Sequence, residues 1–197
     1  MRWPAASARL AGRRVILEPL ASEHAGELYV AAQDPRIWQW LDPDASASPQ
    51  AFGAWFGEAV DAARRGEEVP FAVRDRRSGV LVGSTRYLAL APEHRRLEVG
   101  WTWYAPQAWG TGINVEAKLL LFTHAFERLG AQRVELKTDA RNERSRAAML
   151  ALGATFEGIF RKHMDRRYGV RDTAWYSVVD DEWPAVKARL ESRLLKS

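Results

Sequence analysis

Residues 103–118 read WYAPQAWGTGINVEAK, from Trp103 to Lys118, and this stretch decides the fold class. Aromatic residues end a strand-like run, Pro106 breaks it, and Gly110 and Gly112 form a loop that runs straight into helix-forming sequence. Glycine takes positive φ without a steric penalty, so a Gly-x-Gly turn frees backbone N–H groups at a helix start. Those groups and the positive end of the helix dipole suit a pyrophosphate. No third glycine follows at the spacing of a dinucleotide-binding fingerprint, and no Gly-Lys-Ser/Thr follows as in a P-loop. Alone, such a turn more often serves structure than binding; the strand before it and the helix after it raise the binding reading.

Working outward, Leu97 to Tyr104 predicts a strand and Asn114 to about Leu129 a helix. Val115, Leu119, Phe122 and Phe126 keep helical spacing there, and Gly130 ends the helix. Arg133 to Thr138 predicts a strand, and Asn142 caps a helix that ends at Gly153. Phe156 to His163 and Thr173 to Val179 predict a closing strand pair, and Trp183-Pro184 starts a charged helix. Toward the N-terminus, Arg14 to Leu20 alternates as a strand. Ser22 is the expected cap of a helix to about Ala32, broken by Asp34-Pro35. Ser48-Pro49 opens a second helix to about Arg65. Phe71 to Arg74 and Val80 to Leu90 flank the hairpin signal Arg77-Ser78-Gly79. This order predicts a single α/β (α+β) domain over residues 1–197, a mixed, mostly antiparallel sheet with helices on both faces.

Composition narrows the class further. Of 197 residues, 47% are hydrophobic and 27% charged, which excludes disorder, collagen and coiled coil as the main state. With no cysteine there is neither a disulfide framework nor a thiolate metal site or nucleophile, and no metal is called for. No apolar run reaches the ~18–20 residues of a membrane span. Met1 to Leu10 lacks the apolar core of a signal peptide, so the cytoplasm is the expected compartment. The net charge of +4 favours anionic ligands, but the basic pairs are dispersed and nucleic acid is not an expected partner. Tryptophan is abundant, at 9, with Trp38 near Trp40, and Trp101, Trp103 and Trp109 close together.

Over most of its length, and most strongly from Glu98 to Phe160, the chain resembles the GNAT N-acetyltransferase superfamily, in particular the branch that includes ribosomal-protein-alanine N-acetyltransferases. LEVGWTWYAPQAWGTGIN looks like that family's strand and acetyl-CoA loop, and VEAKLLLFTHAFERLGAQRVELKTDARNERSRAAMLALGATFEG like the rest of the cofactor half. The resemblance implies acetyl-CoA as co-substrate, held by Trp103, Tyr104, Trp109, Gly110, Thr111, Gly112, Ile113, Asn114, Asn142 and Ser145. The family loop pattern, Gln/Arg-x-x-Gly-x-Gly/Ala, fits in two frames. Gln107 to Gly112 matches it literally. The frame that keeps the flanking Glu116-Ala117 spacing puts Trp109 in the Gln/Arg slot and Asn114 in the last, and it is preferred.

Asn142, Ser145 and Met149 lie at i, i+3 and i+7, so they share a helix face. Many family members place a tyrosine at that last position to protonate the leaving thiolate. Met149 has no proton to give, which makes Ser145 the candidate acid. A plain helix with Ser145 facing solvent is the competing reading. Deprotonating an ammonium requires a carboxylate or histidine in reach. Glu98 is the candidate base, with Glu157, His163 and ordered water as rivals.

The function so implied is transfer of an acetyl group from acetyl-CoA to a primary amine, on a small molecule or a protein N-terminus. The alternative is a non-catalytic acyl-CoA-binding module of the same fold. Trp38, Trp40 and Trp55 are the candidate acceptor wall, since indole faces attract cations; the competing reading makes them staples between helices and sheet. The resembled branch also points to a homodimer.

Overall fold

The computed structural model describes Trp3 and residues 8–195; most of the Met1–Leu10 segment read above for a leader lies outside them. β1 (Leu10–Ala11) pairs antiparallel with β2 (Val15–Pro19), whose Val15 and Leu17 are wholly buried. The helix expected from Ser22 divides into a 3-10 turn, Ser22–His24, and α1 (Ala25–Ala31). Ser22 is not its cap. The His24 ring accepts the Ala21 N–H at 3.1 Å and takes over that function.

α2 (Pro49–Arg64) starts as expected, with Ser48 Oγ accepting the Ala51 N–H at 3.0 Å and Pro49 at the first helical position. β3 (Val69–Asp75) and β4 (Leu81–Ala91) form the predicted hairpin, its turn tied by Asp75 to the Arg77 N–H and the Ser78 hydroxyl. β5 (Arg96–Tyr104) follows, and a 3-10 turn at Pro106–Ala108 leads to α3 (Ile113–Thr123). α3 loosens into a π turn, His124–Arg128, before Gly130 at φ 66°. Then come β6 (Arg133–Asp139), α4 (Glu143–Leu152), β7 (Thr155–Arg166), β8 (Gly169–Val179) and α5 (Trp183–Leu195).

The eight strands lie in the order β1-β2-β3-β4-β5-β6-β8-β7. β5 and β6 pair in parallel because α3 carries the chain back across the sheet between them; the other neighbours are antiparallel. Helices cover both faces. α3 and α5 pack on a core that includes Leu17, Phe71, Tyr87, Leu121, Phe122 and Tyr176. α1 and α2 pack on a second core around Leu28, Trp38, Phe52, Trp55 and Trp103. Among the described residues no helix is long and apolar enough to cross a membrane.

The buried side of α3 departs from the expected stripe. Glu116, Ala117, Lys118, Leu121 and Phe122 are buried, whereas Val115 and Leu119 are only half-buried. Glu116 earns its place by accepting three backbone N–H groups, from Arg13 at 2.9 Å, Arg14 at 2.6 Å and Val15 at 2.8 Å. Gly12 makes room for this: a Cβ there would stand 2.5 Å from the Glu116 carboxyl carbon. The start of α3, and the loop before it, are thereby anchored to the β1–β2 turn about a hundred residues away.

Candidate active site

β5 and β6 pair only from Arg96↔Arg133 to Glu98↔Glu135; past Glu98 the two strands part. On its other side β5 carries a bulge, since Ser84 pairs with Trp103 and Arg86 with Gly100. Trp101 takes a left-handed φ of 48°, a conformation that costs a tryptophan on the order of 1–2 kcal/mol. Both faces of the bulge are braced. The Arg86 guanidinium lies 4.9 Å from the Trp101 ring and 5.3 Å from Trp55, with Glu68 at 2.8 Å. On the α3 side, Lys118 Nζ donates to Thr102 Oγ1 at 2.8 Å, and that hydroxyl meets Thr85 Oγ1 at 2.7 Å. The Gly100–Trp103 backbone is held rigidly where it has no β6 partner.

The loop after β5 ends on an open helix terminus. Trp109 Nε1 donates to the Tyr104 carbonyl at 2.8 Å, and Thr111 Oγ1 to the Ala108 carbonyl at 2.8 Å. Gly110 and Gly112 sit at φ 77° and 83°. Gly112 is the N-cap of α3 and no side chain caps the helix; its first internal bond runs from Glu116 N to Gly112 O at 3.0 Å. The N–H groups of residues 113–115 therefore face outward from a concave backbone, which is the donor set an anionic diphosphate needs. Among the described residues, Asn114 Oδ1 in the first turn of α3 and the Tyr104 hydroxyl at the end of β5 are buried without a hydrogen-bond partner. Burial pushes the Tyr104 hydroxyl above its ordinary range, so it stays protonated.

The N-terminus of α4 is closed by comparison. Asn142 Oδ1 accepts the Ser145 N–H at 3.0 Å, as its capping pattern predicts, which leaves the carboxamide N–H₂ as the group with donors to offer a ligand. Among the described residues the Ser145 hydroxyl makes no hydrogen bond, and the side chain is half-buried. Met149 packs on the main core.

Glu98 stands at the point where β5 and β6 part. It is buried and pairs with Lys137 at 2.5 Å. Burial raises its carboxyl pKa, against the pull of Lys137. Lys137 lies 4.3 Å from the Trp175 ring, whose centroid is 5.8 Å from that of His163. Burial, then Lys137 and Arg171, lower the His163 pKa, so its ring is neutral near pH 7; its Nδ1 meets Thr173 Oγ1 at 2.9 Å. Glu98 and His163 are thus linked through Lys137 and Trp175. Glu157 is differently placed, clamped by both Arg133 terminal nitrogens and by Ser177 at 2.7 Å, and the Arg133 hydrogen bonds hold its pKa down.

The three tryptophans of the expected acceptor wall do not act alike. Trp38 is wholly buried, donates to the Ala32 carbonyl at 2.8 Å, and packs between Trp55 and Trp103. Trp55 is buried beside it, so these two staple the helices to the sheet. Trp40 is half-buried and meets Tyr168 edge-on at 5.7 Å. The β7–β8 turn reaches over to this segment: Arg167 donates to the Trp38 carbonyl at 2.5 Å and to Asp42 at 3.1 Å. The segment that carries Trp38 and Trp40 is therefore joined to the β7–β8 turn. Cations of the chain itself lie over several indole rings: Arg141 over Trp40, Arg86 over Trp55 and Trp101, Lys137 over Trp175, and Arg144 over Trp109 at 4.0 Å.

Sequence reasoning missed Lys118, Arg86 and Arg144. Lys118 carries a weak signal, a lysine between apolar neighbours on a helix. Arg86 and Arg144 carry none, because what they touch lies on other elements.

The profile of the acetyltransferase (GNAT) domain family matches residues 14–155. A GCN5-related N-acetyltransferase from Brucella melitensis superposes with a TM-score of 0.88 at 33% identity, covering 94% of this chain and 85% of that one. YdaF of Bacillus subtilis, provisionally described as a ribosomal N-acetyltransferase, is 29% identical over 178 residues, 87% of this chain and 93% of its own. RimJ of Mycobacterium smegmatis, solved with CoA-disulfide, shares the fold alone: TM-score 0.80, 19% identity and 95% of each chain covered.

Proposed function

The chain belongs to the GNAT acetyltransferase family, and we propose that it moves an acetyl group from acetyl-CoA to a primary amine. The observation that carries this reading is the uncapped α3 terminus behind Gly110 and Gly112, set beside the gap between β5 and β6. When bound, acetyl-CoA supplies the activated acyl group. The N–H groups of residues 113–115 would hold its diphosphate. The unpaired Tyr104 hydroxyl, Asn114 Oδ1 and the Asn142 N–H₂ suit the amides of the pantetheine arm. Backbone N–H groups of residues 101–104 would polarise the thioester carbonyl, where negative charge develops. Glu98, or the neutral His163 linked to it through Lys137 and Trp175, would take the proton from the attacking ammonium, and Ser145 would return one to the departing sulfur.

The description of YdaF as a ribosomal N-acetyltransferase favours a protein N-terminus over a free small amine as the acceptor, and the cytoplasm would then be the compartment of the reaction. Trp40 and the Arg166–Tyr168 turn would frame its approach. Met149 at the family's tyrosine position favours one second reading, a module that binds acyl-CoA without transferring it.

Thiol release from acetyl-CoA, measured across a panel of N-terminal peptides and small amines, tests the proposal. Release with at least one amine is expected; tight binding of acetyl-CoA with no release on any amine would establish the second reading instead. Ser145→Ala is expected to lower single-turnover release about tenfold, less than the usual range for acid–base catalysis because a thiolate leaves easily. Acetyl-CoA affinity should fall by less than turnover does, since Ser145 offers one neutral hydroxyl among the many groups expected to hold the ligand. Unchanged turnover would remove the acid role.

A further inference from the structure

Between Tyr104 and Lys118 the loop and first turns of α3 contain no lysine or arginine. Glu116, their one acidic side chain, is spent on three N–H groups. Arg14 reaches the loop from just before β2, but it is held there by the Thr111 and Leu194 carbonyls, each accepting one of its N–H groups at 3.2 Å. Within the loop itself only backbone N–H groups would meet a doubly charged diphosphate.

Trp109 changes this picture. Its Nε1–H is fixed to the Tyr104 carbonyl, so the orientation of the ring is set. Two guanidinium groups lie against it: Arg144, from the first turn of α4, at 4.0 Å, and Arg36 at 5.4 Å. Arg36 is committed to Asp34 through contacts of 2.6–3.1 Å. Arg144 is not committed: among the described residues it meets no carboxylate and no hydrogen-bond acceptor, and its partner is the indole. A guanidinium stacked on an aromatic face keeps its N–H donors in its own plane, directed outward, so the stack restrains the group without consuming a donor. An arginine held in this way is prepared for bidentate contact with phosphate oxygens.

We propose that Arg144, held in place by the Trp109 ring, donates to the diphosphate of acetyl-CoA and supplies from α4 the cation that the loop lacks. Tryptophan in the loop's Gln/Arg slot is then a platform for a cation that arrives from another helix. The inference rests on the acetyl-CoA reading above.

Calorimetric titration of wild type and Arg144→Gln with three ligands tests it: acetyl-CoA, acetyl-dephospho-CoA and acetyl-pantetheine. Arg144 is exposed, and an unchanged melting temperature will show that the variant folds. Loss of one charge-assisted contact should weaken acetyl-CoA and acetyl-dephospho-CoA equally, by about tenfold, and leave acetyl-pantetheine unaffected. A loss confined to acetyl-CoA would move the contact to the 3′-phosphate and overturn the assignment. An equal loss for acetyl-pantetheine, or no loss at all, would overturn it too. Wild-type protein that binds none of the three would bring down the acetyl-CoA reading itself, and this inference with it.

Discussion

Gly112→Val is expected to weaken acetyl-CoA binding by at least about 100-fold, the largest single effect on ligand affinity in the molecule. Gly112 holds φ 83° at the N-cap of α3, where a β-branched residue is strained. Its Cβ would also stand where the backbone must approach the diphosphate. Losing two contacts to a charged group accounts for a change of this size. Strain alone would lower stability on the order of 1–3 kcal/mol and leave the affinity of the folded protein intact. Gly112→Asn separates the two causes, since asparagine tolerates the left-handed region but still carries a Cβ. Calorimetry on both variants, with thermal unfolding as control, is the measurement. Wild-type affinity in Gly112→Val would refute the loop assignment.

The largest pH effect should come from Lys118. Burial lowers its pKa to about 7, and its one hydrogen bond goes to a neutral hydroxyl. Below about pH 7 the amine is protonated in both folded and unfolded chains, and the folded state bears the full penalty of a buried charge. Between pH 7 and the unfolded value near 10.4 the unfolded chain binds the extra proton, so stability rises with pH. From pH 7 to 9.5 the rise is expected to be about 3 kcal/mol. Tyr87 and Tyr104, raised by burial, act in the opposite direction above about pH 10 and fall outside this window. Lys118→Met keeps the stem and removes the charge, so it should be more stable than wild type at pH 7 and lack this rise. Urea unfolding of both proteins at several pH values provides the comparison. Parallel pH dependences would mean that Lys118 keeps its charge in the fold and that the bulge has a partner for it.

Both predictions concern residues of one segment, yet only one of them was readable in advance. Gly112 is visible as a candidate, because a Gly-x-Gly turn set between a strand and a helix start can be read from the residues in order. Lys118 is not. Helical periodicity placed Val115 and Leu119 on the buried face, but the charged pair Glu116 and Lys118 went inside while those two stayed half-exposed. Glu116 is buried because three N–H groups of the β1–β2 turn wait for it, and those lie a hundred residues earlier in the chain.

The acceptor wall teaches the same point from the other side. Trp38, Trp40 and Trp55 were equally good candidates by type and spacing. The fold buried Trp38 and Trp55 against Trp103 and left Trp40 under the β7–β8 turn. It also laid the chain's own arginines on the indole faces, which no periodicity reveals.

What the sequence determined by itself is local. The Ser48 and Asn142 caps and the Asp75 turn act through hydrogen bonds spanning two or three residues, and the glycine loop and the order of strands and helices are written in local residue patterns. Such signals survive without knowledge of the rest of the chain. What only the tertiary structure decided is which polar groups are buried and what they meet: Glu116 with Arg13 to Val15, Arg144 with Trp109, Glu98 with Lys137 where the strands part. Burial of a charge is favourable only when a distant partner arrives to satisfy it, and that arrival is set by strand register and helix packing rather than by neighbours in the chain.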